Sequence, residues 1–118
     1  MAEQPPEWAI EFYVDARGRS AVMEFINGLS TQERATVRNG LRLLREFGVL
    51  LKMPHAQPMT GHRKLFELRA GAIRLFYFAH TGRRMIVLHA FRKKSGKTPG
   101  HEIAKAERRM YEFLEREE

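Results

Sequence analysis

Two arginines in the middle of the chain carry the clearest chemical signal in the sequence. Arg69 and Arg74 stand at the inner ends of two strand-like runs, with only residues 70–73 between them. Arginine stays charged and presents a planar fork of donors to phosphate oxygens, so it stabilises negative charge and does not transfer protons. The two residues therefore indicate a site for an anion.

Strand geometry sharpens this expectation. Side chains alternate between the faces of a strand and paired residues point the same way, so a four-residue hairpin loop places Arg69 opposite Arg74. The same face then carries a row of side chains: Glu67, Arg69, Arg74, Phe76, Phe78 and His80. Facing like charges destabilise a sheet unless an anion lies between them. Glu67 could be that anion in an Arg-Glu-Arg cluster, or the pair could bind a ligand.

Basic residues are concentrated around this hairpin. Residues 61–99 contain ten Lys or Arg and one acid, Glu67, a net of 10 − 1 = +9, whereas the whole chain carries +7. Three of these cations, Lys93, Lys94 and Lys97, follow the third strand in a loop that could fold back over the sheet. Such a concentration suits a polyanion, nucleic acid first, although a solvated basic face has the same composition.

Length and composition exclude several classes of protein. The 118 residues fit one domain, residues 1–118, and the absence of cysteine excludes disulfides and thiolate sites. The N-terminus lacks the features of a leader and no apolar run could span a membrane, so we expect a cytoplasmic protein. The histidines lack zinc-like spacing, the cationic segment offers one carboxylate, and no nucleotide-binding glycine loop occurs, so we expect no metal and no cofactor.

The first half of the chain predicts a strand followed by two helices. An aromatic and β-branched run at residues 8–14 indicates a strand. Ser20 is expected to cap a short helix, and Ser30 and Glu33 have the spacing of a capping box at the start of a longer one. Gly48 stands where a helix would end. We expect a helical hairpin over residues 20–48.

The second half predicts three strands and a final helix. Prolines at residues 54 and 58 indicate a loop over residues 49–62, and strands are expected at residues 64–69, 73–80 and 84–91. Thr98 is the expected N-cap of the last helix, with Pro99 at its first position. The order β-α-α-β-β-β-α predicts an α+β domain in which an antiparallel sheet packs on the helical hairpin.

Two segments resemble a known family. The hairpin "LFELRAGAIRLFYF" and the block "IVLHAFRKKSGKTPGHEIAKAERRM", with the element order and size, resemble the RelE/HigB toxins, particularly their phage-derived HigB-like branch. The resemblance spans nearly the whole chain. It implies a RelE-like single domain and a bacterial type II toxin that cleaves messenger RNA on the ribosome, without a metal. It also implies a cognate antitoxin as a partner, for which we expect a small acidic helix-turn-helix protein.

The resemblance also assigns roles to residues. The family's strand arginine corresponds to Arg74 and its basic residues after the last strand to Lys93 and Lys94, while Arg69 joins them on the sheet face. Cleavage through the ribose 2′-OH needs a base, cations for the transition state and an acid for the leaving oxygen. A lysine crowded by cations gives up its proton more readily, so Lys93 or Lys94 is the expected proton carrier, and Glu67 is the alternative base.

Further residues are expected to contact RNA, through charge or base stacking: Lys64, Arg92, Lys97, Phe76 and His89. Two other functions stay open. A toxin of the ParE type would act on DNA gyrase without cleavage, and a non-enzymatic RNA-binding module would bind RNA and leave it intact.

Overall fold

The chain forms an α+β domain, as predicted. The structure is a computed structural model that describes residues 6–62, 64–94 and 96–117; Arg63, one of the cations counted above, lies outside them. The elements, in chain order, are β1 (Ala9–Phe12), α1 (Ala21–Asn27), α2 (Thr31–Phe47), a 3₁₀ turn (Gly48–Leu50), β2 (Ala56–Pro58), β3 (Phe66–Ala70), β4 (Ile73–His80), β5 (Arg84–Arg92) and α3 (Gly100–Arg116).

One sheet holds the strands of the described residues in the order β1-β5-β4-β3-β2. Strands β2 to β5 pair antiparallel, but β1 pairs parallel with β5, so the sheet is mixed where the sequence predicted an antiparallel one. A parallel partner needs a long crossover, and the helical hairpin begins the connection from β1 to the rest of the sheet. Side-chain periodicity carries no information about this choice of neighbour.

The segment predicted as a loop, residues 49–62, contains a short strand. Ala56–Pro58 adds β2 to the edge of the sheet, beside β3, and the 3₁₀ turn extends into residues 49 and 50. Proline is tolerated in an edge strand because its missing N–H faces away from the ladder. The sequence missed β2 because so short a strand is defined by its partner and not by its own composition.

The helical hairpin forms as predicted. Ser20 accepts a hydrogen bond from the Met23 N–H, and Ser30 and Glu33 exchange both hydrogen bonds of a capping box. Gly48 ends α2 with φ of 53°, and a Cβ there would lie 2.0 Å from the Trp8 Nε1, so only glycine fits.

The two faces of the sheet are covered by different helices. Helices α1 and α2 pack on one face around an apolar core that includes Val22, Val37, Leu44, Leu68, Leu75 and Val87. Helix α3 packs on the other face around a second core that includes Phe76, Phe78, Ile86, Leu88, Ala106 and Met110. The sheet therefore has an α1-α2 face and an α3 face, and the arginine row belongs to the α3 face. In the described part of the chain, no helix is long and apolar enough to cross a membrane.

The start of α3 differs from the prediction. The helix begins at Gly100 with Pro99 as its N-cap and without a capping side-chain hydrogen bond, so Thr98 is not the cap. Thr98 instead donates its hydroxyl hydrogen to a carboxylate on β3, at 3.1 Å. The Thr98 side chain, which the local pattern predicted as the helix cap, is therefore used in a tertiary hydrogen bond.

Candidate anion site at the end of the sheet

Arg69 and Arg74, the arginine pair, face each other across strands β3 and β4. The register pairs Arg69 with Arg74 and Glu67 with Phe76, as predicted, but Ala70 and Ile73 also pair, so the loop has two residues where four were expected. Phe76 belongs to the core under α3, so alternation puts the arginine pair on the α3 face, two residues nearer the end of the sheet. The side chains of Arg69 and Arg74 are 31% and 15% exposed. The pair thus lies at the surface, partly sunk into it.

Glu67 is the carboxylate beneath the pair. Its side chain is 1% exposed, and each oxygen accepts one hydrogen bond: Oε1 from the Gln57 Nε2 and Oε2 from the Thr98 hydroxyl, both at 3.1 Å. Gln57 is on β2, in the segment that the sequence assigned to a loop, so its role was missed. A buried charge needs such partners to offset its lost hydration.

Glu67 lies within ion-pair distance of both arginines, so the expected Arg-Glu-Arg cluster forms, but Glu67 makes no hydrogen bond to either Nε. Its Oε1 lies 3.6 Å from the Arg69 Nε and 4.0 Å from the Arg74 Nε, beyond hydrogen-bond range. Both Nε atoms are buried and have no hydrogen-bond partner among the described residues. Two guanidinium charges against one carboxylate leave an excess of +1. The group is therefore short of one anion and of hydrogen-bond acceptors.

The basic loop, residues 93–99, adjoins the pair; the structure describes it except for residue 95. The Lys93 N–H donates to the Ala72 carbonyl at 2.8 Å, which extends the β4-β5 ladder past the end of β5. Lys93 is half-buried, whereas Lys94 and Lys97 are exposed. The loop thus brings lysines to the end of the sheet that holds the arginine pair.

A β-bulge determines which of the basic residues at the end of β5 lies on the face of the arginine pair. Phe76 pairs with His89 but Tyr77 pairs with Val87, so Leu88 is an extra residue on β5. Beyond the bulge the alternation is shifted, and His89 and Phe91 point toward α3. Continued alternation puts Lys93 on the face of the arginine pair and Arg92 on the opposite face.

Two of the expected RNA contacts lie away from the arginine pair. Arg92 lies on the α1-α2 face, where its Nη2 donates to the Glu33 Oε2 at 2.5 Å. Lys64 precedes β3, and the five residues from Lys64 to Arg69 span about 17 Å in an extended chain. Neither side chain reaches the candidate site.

Two other expected RNA contacts are buried beneath α3. Phe76 has no exposed surface and packs against the rings of His89 and Phe91. A nucleotide base cannot stack on Phe76 while α3 covers it. His89 is 8% exposed and is likewise unavailable to RNA.

His89 is held by two side chains of α3. The Arg109 Nη1 lies 3.3 Å from Nδ1, and since arginine can only donate, Nδ1 accepts and Nε2 carries the proton. Nε2 lies 2.7 Å from the Glu102 Oε1 and donates to it. Burial lowers the pKa of His89, although Glu102 opposes the effect. His89 is thus a neutral histidine that docks α3.

A residue that the sequence did not single out borders the arginine pair. The Arg69 N–H donates to the His55 carbonyl at 2.8 Å, which places exposed His55 beside Arg69 at the start of β2. His55 therefore lies next to the arginine pair in the sheet. The sequence did not indicate this position of His55 because β2 was not predicted.

The site suits a phosphate group better than a metal ion. Arginine forks and lysines bind phosphate oxygens, and the +1 excess of the buried group favours an anion. Within residues 6–62, 64–94 and 96–117, no three His, Asp or Glu side chains come together as a metal would require.

Comparisons with known proteins agree with this fold. A family model described as Phage derived protein Gp49-like matches residues 24–111. A comparison with curated proteins found no match.

Three similar solved structures are RelE proteins. The RelE-RelB complex of Pyrococcus horikoshii OT3 aligns with a TM-score of 0.58 at 12% identity, over 75% of this chain and 98% of that one. The toxin-antitoxin complex RelBE2 of Mycobacterium tuberculosis gives 0.53 at 16% identity, over 75% and 94%. A mutant of the E. coli toxin RelE in the free state gives 0.59 at 16% identity, over 88% and 98%. The fold is that of RelE, and with the family match it confirms the predicted resemblance.

Proposed function

The chain belongs to the phage-derived Gp49-like family, and from this membership and its RelE fold we propose that it is the toxin of a type II toxin-antitoxin system. Its activity is that of a metal-independent endoribonuclease that cuts messenger RNA on the ribosome and so inhibits translation in the cytoplasm. The whole chain, residues 1–118, acts as one toxin domain. We assign the reaction to the arginine pair and the basic loop.

The observation that carries this proposal is the incomplete charge balance of the arginine pair. Glu67 forms ion pairs with both guanidinium groups, but it supplies one negative charge for two positive charges. Here the distances to the two Nε atoms are 3.6 and 4.0 Å, and both N–H groups lack partners among the described residues. A buried donor left unpaired costs about 1 to 3 kcal/mol. A bound phosphate would supply the missing negative charge.

An RNA phosphate bound by the arginine pair can be cleaved by attack of the neighbouring ribose 2′-oxygen. The 2′-oxygen attacks phosphorus and loses its proton to a base, while the bond to the 5′-oxygen breaks and an acid protonates that leaving oxygen. The products are a 2′,3′-cyclic phosphate and a 5′-hydroxyl. Arg69 and Arg74 stabilise the negative charge that grows on the phosphorane oxygens. The Arg74 Nη1 donates to the Gly71 and Ile73 carbonyls at 2.5 and 3.2 Å, which fixes its direction before RNA arrives.

The proton carriers come from residues around the pair whose side chains are at least partly exposed. We assign the base and the acid to Lys93, Lys94 and His55, since histidine is the commonest general base and lysine can also transfer protons. Glu67 has 1% of its surface exposed and both oxygens engaged, so we assign it to positioning the arginine pair and not to proton transfer.

The proposed protein partner is an acidic antitoxin, which we expect to be small and to carry a helix-turn-helix domain. Residues 61–99 carry +9, so an acidic chain is attracted to this part of the surface. Two of the similar structures are complexes of RelE proteins with their RelB partners. The nucleic-acid partner is messenger RNA in the ribosome.

Controlled expression tests this function. We expect growth arrest, with messenger RNA cut inside reading frames and new 5′ ends that begin with a hydroxyl. Stalled replication with intact messages would favour the gyrase-directed alternative. Salt-dependent RNA binding in extracts, with neither arrest nor new ends, would favour the binding module.

A further inference from the structure

The hydroxyl of Thr98 connects two parts of the candidate site. It donates to the Glu67 Oε2 at 3.1 Å, between residues 31 positions apart in the sequence. Thr98 directly precedes Pro99, the N-cap of α3, yet α3 has no capping side-chain hydrogen bond. The side chain best placed to cap the helix is therefore committed to the sheet.

This hydrogen bond gives the basic loop its second attachment. At one end of the loop the Lys93 N–H binds the Ala72 carbonyl at 2.8 Å, and at the other end Thr98 binds Glu67. Between the two attachments lie exposed Lys94 and Lys97. Gly96 has φ of 69°, which glycine adopts readily because it has no Cβ, so local backbone preference does little to hold the loop in place.

Glu67 thereby holds the two cationic parts of the site together. Its Oε1 faces the arginine pair at 3.6 and 4.0 Å and its Oε2 accepts from Thr98. Since the carboxylate is 1% exposed, water cannot replace either partner without opening the structure. The Glu67 carboxylate thus helps to set the positions of both the basic loop and the arginine pair.

We propose that Thr98 is a positioning residue that fastens the basic loop to the Glu67 carboxylate, so that the loop lysines and the arginine pair act on one phosphate. The effect on RNA rests on the proposed function, whereas the fastening of the loop does not. Without the bond the lysines stay charged and still attract RNA, but their position in the transition state is lost. Losses of this kind fall on kcat more than on KM.

Three variants test the hydroxyl itself. Thr98→Val keeps the shape and removes the donor, Thr98→Ser keeps the donor, and Thr81→Val makes the same exchange at an exposed turn at the far end of β4. We expect Thr98→Val to lower the single-turnover cleavage rate about 10-fold, the size expected for one lost hydrogen bond to a charged group, with KM changed less. Thr98→Ser should recover most of the rate, and Thr81→Val should match the parent.

Trypsin gives a readout that needs no nuclease activity. The enzyme cuts after lysine, and we expect Thr98→Val to speed cleavage after Lys94 and Lys97 about 10-fold, because native-state proteolysis follows the population of the open loop. Gln57→Leu removes the other donor to Glu67 but lies on β2, so it should not open the loop. Thr98→Ala replaces Thr98→Val if circular dichroism shows that the valine variant folds poorly.

The outcomes separate this proposal from the function. A loop cut at the parental rate in Thr98→Val, or cut equally fast in Thr98→Ser and Thr98→Val, overturns the proposal. Faster cutting in Thr98→Val alone, with no RNA cleavage by the parent, supports the fastening of the loop and contradicts the nuclease assignment.

Discussion

Replacing the buried carboxylate tests the electrostatics of the site. Glu67→Gln keeps the size of the side chain, and both donors can adapt, because the Thr98 hydroxyl can rotate and the Gln57 amide can flip. The change therefore isolates the loss of one negative charge beneath the arginine pair. What remains is two facing guanidinium groups without a counter-ion.

The geometry sets the size of the effect. At 3.6 and 4.0 Å, each attraction is worth about 4 kcal/mol at an effective dielectric constant of ~20. The lost hydration of the carboxylate offsets much of that sum, and breaking a buried ion pair costs about 3 to 5 kcal/mol in practice. Arg69 is 31% exposed, which favours the lower value. We expect a loss of about 3 kcal/mol, or a Tm lower by about 12 °C.

The assay is thermal and urea unfolding of Glu67→Gln beside Glu46→Gln. Glu46 pairs with Arg42 at 3.0 Å on the exposed face of α2, so its replacement should cost about 0.5 kcal/mol or less. Sulfate should then stabilise Glu67→Gln more than the parent. At a sulfate concentration ten times its Kd, the gain in the free energy of unfolding should be about 1.4 kcal/mol, and it is read as a rise in Tm. A Glu67→Gln protein as stable as Glu46→Gln, with no added response to sulfate, would refute the account of this group.

Three further predictions concern activity and pH. Arg74→Ala should lower RNA cleavage about 10² to 10³-fold with little change in substrate binding, whereas Arg74→Lys should keep part of the rate; equal rates in single-turnover assays would contradict the role of Arg74. The double change Lys93→Ala, Lys94→Ala should lower the rate and flatten the alkaline limb of the pH-rate profile, and an unaltered limb would leave His55 as the proton carrier. The lowered pKa of His89 means that the unfolded chain binds more protons just below pH ~6.5, so stability should fall as the pH drops, by at most about 1.4 kcal/mol per pH unit. Urea unfolding of a His89→Gln variant should lack this slope between pH 5 and 7, and an unchanged slope would assign it to other groups.

The sequence predicted those parts of the fold that depend on neighbouring residues. The capping box of Ser30 and Glu33, the glycine at residue 48 and the facing arginines all follow from local spacing and from the geometry of one hairpin. The arginine pair could be placed because the turn sets its register directly.

The rest depends on contacts that spacing cannot show. Strand β2 exists because β3 offers it an edge, and the parallel place of β1 depends on the path of a crossover. Thr98 followed by proline is typical of an N-cap, but a buried carboxylate on another strand competes for its hydroxyl. The bulge at Leu88 reverses which of Arg92 and Lys93 faces the arginine pair, and no composition rule marks that position.

The central claim is that the arginine pair acts on the phosphates of messenger RNA. The most direct test compares newly formed 5′ ends after brief expression of the parent, of the double variant Arg69→Ala, Arg74→Ala, and of Arg92→Ala, whose side chain lies on the opposite face. We predict abundant new ends inside reading frames for the parent and for Arg92→Ala, and a loss of at least about 100-fold for the double variant at equal protein levels. Equal cleavage by the double variant, or arrest by the parent without new ends, would contradict the claim.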